Sequence, residues 1–334
     1  MSDVFKEGIV RKLKKVLPTF LLVFGLLFAG ASYYGYRLLL SNNDNAKQMT
    51  HQIQPEKEIQ QQVNEKNKQA NFDPDQIKPV EASEYASAQL KFTELVNQWG
   101  IGSVFIPSAG IQTKILSGMS NQNLMVATGT YYPDQKLGKG NYVLLAHNLV
   151  QGGGPLGNLP KTKIGHIIYA TDFSRVYEYI VTKNSTVDHT EGELLDVPSD
   201  KEKALITLFR CEGNLNTPTR ALVQGRYSKS YSAKDAPEDV KIGLGLGIRE
   251  ESGIPDERVE SSKSIERESK ETSSKMNDKT VNSKENENKF NQERPRYSLS
   301  QRIAIRCFSI INSHPIVLSI GFLVLLLLLL HFAK

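Results

Sequence analysis

The stretch on which the fold reading turns is ALITLFRCEGNLNTPTRALVQGRY, residues 204–227. From Ala204 to Phe209 the side chains are apolar apart from Thr207, rich in β-branched and aromatic types, and they stop at the polar corner Arg210-Cys211-Glu212-Gly213. That is the signature of a short buried strand running into a loop. A second short apolar run occupies 221–227, just after Pro218 and Arg220. The first strand delivers Cys211 to its end. A thiol there, facing a glycine-bearing loop with arginines nearby, is open to reaction and favoured as thiolate. Taken alone, the residue reads equally well as a small buried apolar cysteine.

Working outward, the same grammar recurs. Residues 103–106 and 111–115 flank Pro107-Ser108-Ala109-Gly110 as a hairpin, and 142–146, 167–170 and 176–181 are short runs bounded by Gly, Pro or Asn. Several short strands at this spacing argue for a β-barrel or sandwich. Helical pattern is confined to 83–98 and short turns. His147 ends the apolar run Tyr142-Val143-Leu144-Leu145-Ala146 and precedes Gly152-Gly153-Gly154, so it can face a cleft at a strand edge. By itself it reads more readily as a structural histidine, and Arg220 as a solvated charge. His51, His166, His189 and His314 lack that context and read as surface residues.

The ends of the chain are of a different kind. Residues 17–36 carry no formal charge over 20 positions, roughly 30 Å of helix, enough to cross a hydrocarbon core. Lys6, Arg11, Lys12, Lys14 and Lys15 precede this run and only Arg37 comes closely after it. That asymmetry orients residues 1–16 as a cytoplasmic tail, 17–40 as an uncleaved spanning helix and the chain beyond residue 40 as extracellular. A second run, 315–333, contains the unbroken leucines 325–330 and reads as a C-terminal span. Arg294, Arg296, Arg302 and Arg306 lie on its outer side, against the positive-inside tendency, which counts short loops only. Residues 41–82 and 236–300 are polar and poor in large apolar side chains, and they read as a stalk with room for some helix and a disordered linker around a domain at 83–235.

Forty-one basic against 36 acidic residues, interleaved to a net charge of +5, leave no basic stripe for nucleic acid. Cys307 borders the second apolar run, so a bridge to Cys211 is not expected. Asp172, Glu178, Glu191 and Glu193 form no recognisable ligand loop, and neither a metal nor a cofactor is expected.

Taken jointly, the strand ends resemble the sortase family. The matching text is LLAHN with His147, TLFRC with Cys211, and TPTRALVQGRY with Arg220, supported upstream by FIPSAGIQTKIL and GTYYPDQKLGKGNYVLLAHN. The resemblance covers about residues 85–230. It implies a mainly β fold, an eight-stranded sortase-like barrel with short helices flanked by transmembrane helices. It also implies a cysteine transpeptidase in which Cys211 attacks the Thr–Gly carbonyl of an LPxTG-like signal, His147 serves the departing and incoming amines, and Arg220 donates to the oxyanion or substrate backbone. Thr207, Phe209 and Arg210 are the implied substrate-binding positions. The sequence departs from the family pattern at Ala146, usually glycine, and at Arg210, usually threonine.

The single N-terminal anchor resembles the housekeeping, class A type. That implies surface proteins bearing LPxTG as donors and a lipid-linked cell-wall precursor amine as acceptor, at the cell membrane. The C-terminal span is more usual in the pilus-polymerising type with a lysine acceptor, where an Asp-Pro-aromatic lid covers the cleft. Phe72-Asp73-Pro74-Asp75 offers Asp-Pro without the aromatic, so no lid is expected. A catalytically silent peptide-binding module and a simple cysteine peptidase are the readings from other classes.

Overall fold

The computed structural model describes residues 2–40, 49–148, 153–198, 204–211, 218–247, 290–291 and 297–314, together with 316, 321 and 323. The elements, in order, are α1 (Ser2–Leu40), β1 (Thr50–Gln52), α2 (Glu56–Gln69), α3 (Ala82–Leu90), α4 (Phe92–Trp99), β2 (Gly100–Ile106), β3 (Ile111–Leu116), α5 (Asn121–Val126), β4 (Thr128–Thr130), β5 (Asn141–Ala146), β6 (Ile167–Thr171), β7 (Arg175–Asp188), β8 (Leu205–Cys211), β9 (Thr219–Ser232), α6 (Glu238–Leu244), β10 (Leu246–Gly247), β11 (Phe290–Asn291) and α7 (Leu299–Ser313).

Eight strands close into a barrel in the order β2-β3-β4-β5-β8-β9-β7-β6, with β6 returning to β2. β5 and β8 pair in parallel. Every residue of β5 is buried, which is why its sequence is a continuous apolar run rather than an alternating one. Val104, Ile115, Leu144, Ile168, Tyr179, Ile206, Leu208 and Val223 fill the interior. β2 bends at a bulge between Gly100 and Gly102. A Cβ at Gly102 would stand 2.3 Å from the carbonyl oxygen of Thr171, so only glycine allows that strand pair to approach.

Against the barrel lies a layer of helices with its own core, including Ile59, Tyr85, Phe92, Val96, Val240, Leu244, Tyr297 and Ile305. The segment read as a stalk is therefore partly folded. α2 buries Ile59, and Lys66 Nζ donates to the carbonyls of Asn97 (3.1 Å) and Gly100 (2.8 Å), tying α2 to the α4–β2 junction. Burial lowers the Lys66 pKa to about 8. The region read as a linker likewise begins with α6 packed on β2 and ends with α7, while residues 248–289 lie outside the described residues.

The single helix expected at 83–98 is two, α3 and α4, broken at Lys91. β7 and β9 run 14 residues each, well beyond the apolar stretches that announced them. Their polar ends stay paired through two register shifts, at 178/179 and 181/183.

α1 contains one segment, Thr19–Leu39, long and apolar enough to cross a membrane. Of the expected C-terminal span, only 316, 321 and 323 are described, all helical. α7 packs along the C-terminal turns of α1 and against α3.

Candidate active site

Parallel pairing of β5 with β8 builds the site. The last registered pair is Ala146 with Arg210, so the next residue on each chain is His147 on one side and Cys211 on the other. β9 enters antiparallel beside β8, with Arg220 in register with Cys211 and with Val187 of β7 on its far side. Three adjacent strands thus bring the backbones of His147, Cys211 and Arg220 to one end of the barrel. A cleft of about 370 Å³ opens there, lined among others by Leu124, Ala146, His147, Phe209, Arg210 and Arg220.

His147 is held twice by α5. Its backbone N–H donates to the Leu124 carbonyl (2.9 Å), and its Nε2 lies 3.0 Å from Asn121 Oδ1. The same Oδ1 accepts the backbone N–H of Lys78 at 2.9 Å. An atom that accepts from an amide is a carbonyl oxygen, so the histidine nitrogen facing it must carry the proton. The ring is therefore the Nε2–H tautomer, and Nδ1 holds the lone pair. Only 7% of the residue is exposed, and burial lowers its pKa from 6.5 to about 4. At neutral pH the imidazole is uncharged.

Arg220 donates through Nη1 to the Thr219 carbonyl (3.0 Å), and its charge helps, after the hydrogen bonds from Thr190, to hold the exposed Asp188 carboxyl below its ordinary range. Arg210 continues the inward face of β8 after Ile206 and Leu208. It is 6% exposed and reaches the Gly157 carbonyl through Nη2 at 3.3 Å, so it braces the segment following His147 while still lining the cleft. Phe209 sits on the opposite face, among Met119, Leu124, Leu145 and Tyr131, with its ring 6.3 Å from that of Tyr131.

Thr207 is placed differently from the other two implied substrate positions. It has no exposed surface and does not line the cleft. Its hydroxyl donates to Asn141 Oδ1 (2.8 Å) and accepts from Gln224 Nε2 (3.0 Å). It is committed to joining β5, β8 and β9.

Several residues in or beside the cleft were not read from the sequence as parts of the site. Asn121 has only a faint signal, the Ser120 cap that accepts from Asn123 N–H at the start of α5. Phe72 and Ile77 pack beside Phe209 and Tyr131, and Pro74 and Ile77 line the cleft. The incomplete Asp-Pro motif thus lies along the cleft even without its aromatic, held where the Asn71 carbonyl accepts from Met119 N–H (2.7 Å).

The sortase domain family model matches residues 104–228, which spans β2 to β9. Sortase A of Listeria monocytogenes serovar 1/2a (strain ATCC BAA-679 / EGD-e) is 35% identical over 130 residues, 39% of this chain and 57% of the relative. The putative sortase YwpE of Bacillus subtilis (strain 168) is 35% identical over 98 residues, 29% of this chain and 93% of that one. Sortase A of Bacillus anthracis is 28% identical over 216 residues, 64% of this chain and 94% of the relative. Among solved structures, that of Listeria monocytogenes sortase A covers 44% of this chain and 97% of its own, with 30% identity and a TM-score of 0.40. The chain belongs to the sortase family of cysteine transpeptidases.

Proposed function

We propose that this sortase cleaves an LPxTG-like sorting signal between Thr and Gly and transfers the acyl group to an amine, anchoring surface proteins to the cell wall from the outer face of the membrane. The observation that supports this is the convergence of His147, Cys211 and Arg220 on three adjacent strand ends beside one cleft.

The neutral histidine sets the proton inventory. The Cys211 thiol gives its proton to His147 as sulfur attacks the Thr carbonyl, and a tetrahedral oxyanion forms with Arg220 as donor. His147 then passes the proton to the departing glycine amine as the C–N bond breaks, leaving a thioacyl enzyme. The incoming amine attacks that thioester and loses a proton to His147, which returns it to the departing sulfur. Nothing is left over, and the product is a new amide.

The test is an LPxTG peptide incubated with the full chain in detergent, with and without oligoglycine. A thioacyl adduct on Cys211 that oligoglycine discharges is expected, and Cys211→Ala should abolish it while unfolding stays cooperative. Cleavage indifferent to amine would leave a peptidase, and absence of any adduct would leave a binding module.

One observation favours a second reading within the family. Pro74 and Ile77 line the cleft and Phe72 packs on the same apolar cluster as Phe209, beside the site that a lid covers in the pilus-polymerising type. In the same assay, discharge by a lysine ε-amine in preference to oligoglycine would select that reading.

A further inference from the structure

α7 has a buried side and a bare side. Ala304 and Ile305 are 3% and 0% exposed. Leu299, Ile303 and Ile310 are 76%, 52% and 47% exposed. With Arg302 and Arg306, also exposed, they follow the three- and four-residue spacing of a single helical face. No acidic residue occurs anywhere in the helix, and a capping box at Ser298 and Gln301 starts it firmly.

The height of this face is set by α1. A Cβ at Gly35 would stand 2.2 Å from the Ala304 carbonyl oxygen, so the two helices touch backbone to backbone at that point. The Tyr36 and Phe308 rings stack beside it, 5.6 Å apart. Gly35 lies four residues before the end of the apolar segment Thr19–Leu39, among Tyr33, Tyr34 and Tyr36. Tyr33 and Tyr34 are 65% and 49% exposed, and exposed tyrosines at the end of a spanning helix mark the headgroup level. Arg302 and Arg306 stand two residues to either side of Ala304, within about 3 Å along the axis. Both guanidinium groups therefore meet the layer that holds lipid phosphates.

We propose that this face of α7 is a docking surface for anionic phospholipid. Leu299, Ile303 and Ile310 enter the boundary between headgroups and acyl chains, and Arg302 and Arg306 engage phosphate through their planar forks. Continuity with the spanning helix and a wholly basic charge select lipid over a protein partner. The docked helix fixes the tilt of the catalytic domain, since its other side is packed into the helical layer through Tyr297 and Ile305. The proposal rests on α1 crossing the membrane, and the test separates the two.

The full chain is reconstituted into vesicles of phosphatidylcholine with or without phosphatidylglycerol. The reporter is Ile303→Trp in a Trp99→Phe background, which removes the only native tryptophan; Leu299→Trp serves as a second reporter should the first fold poorly. The readout is quenching by lipid bearing a nitroxide near the headgroup. Strong quenching in the anionic vesicles is expected, and Arg302→Gln and Arg306→Gln should each lower the docked-to-undocked ratio about fivefold. Emission indifferent to the labelled lipid overturns the docking face, and quenching indifferent to both lipid charge and the arginines overturns the anionic selection. Retention of the protein in the vesicles after carbonate washing reads insertion of the chain's apolar segments, independently of the docking face. A chain that is retained but unquenched sinks the proposal alone, and a chain washed off sinks the membrane reading of α1 with it.

Discussion

Replacing Asn121 with aspartate changes the surroundings of His147 by one charge and almost no volume. The aspartate keeps an acceptor for Lys78 N–H, which now lies at 2.9 Å, and a carboxylate in the first turn of α5 suits the helix end. It faces His147 Nε2 at the 3.0 Å now spanned by Asn121 Oδ1. At that separation the attraction between carboxylate and imidazolium is about 1.4 kcal/mol in the dielectric of water and about 5.5 kcal/mol at an effective value of about 20. Asn121 is partly exposed, so solvent screening selects the lower part of that range, about 1 to 2 pKa units. The His147 pKa, now about 4, should rise to about 5–6. Neutral His147 is the base in the proposed cycle, so the acidic limb of kcat/KM for an LPxTG peptide should move upward by the same interval. At pH 5 the neutral fraction falls from about nine tenths to between one half and one tenth, while activity at pH 8 stays near the parent's. Asn121→Ala should lower activity without moving the limb upward. A limb that stays within about 0.3 units of the parent's in Asn121→Asp would refute both the tautomer assignment and the role of His147 as base.

Arg220→Lys keeps the charge and loses the planar fork, so kcat should fall about 10²-fold or more; steady-state peptide cleavage within a fewfold of the parent would remove Arg220 from the site. Thr207→Val strands Asn141 Oδ1 in the barrel wall and takes one of two acceptors from Gln224 Nε2, at a cost of about 1–3 kcal/mol read from the urea midpoint, with kcat nearly unchanged. A large loss of kcat in a stable variant would return Thr207 to the substrate. Burial lowers the pKa of both His51 and His147 from 6.5 to about 4, so the folded state favours their neutral forms. Their contribution is whole above pH 6.5 and drains as the pH falls toward 4, by at most about 3 kcal/mol each. Denaturant midpoints that stay level between pH 6.5 and 4.5 would contradict it.

What the sequence made legible was whatever ends a buried run. β5 and β8 are buried along nearly their whole length, so they stand out as uninterrupted apolar text, and the residues just past them stand out as chemistry. β7 and β9 are read short because their outer halves are polar and held by ladder hydrogen bonds, which leave no mark on composition. α2 is faint for a related reason. Its sequence EKEIQQQVNEKNKQ offers little apolar surface, and the bonds of Lys66 and of Asn67, the latter to the Pro133 carbonyl (2.7 Å), do much of the attachment. Thr207 and Phe209 share one face of β8 and looked equivalent in sequence. The partner across the sheet separates them, Asn141 for Thr207 and Tyr131 for Phe209, and such a partner is a property of register rather than of local text.

The hold on His147 passes through the helices as well as the barrel. β5 brings the residue to the cleft, but its backbone N–H and ring nitrogen are both satisfied by α5. α5 in turn is fastened to α3, where Gln89 Nε2 donates to the Met125 carbonyl at 2.9 Å from a fully covered position. α3 packs against α7, and α7 lies backbone to backbone on the C-terminal end of α1. His147 is thus held by a helical layer that reaches the end of α1's apolar segment, whereas the backbones of Cys211 and Arg220 are placed by pairing of β8 with β9. Displacing α7 should therefore disturb the histidine before it disturbs the other two, and the rate of histidine-dependent proton transfer should respond before the barrel's stability does.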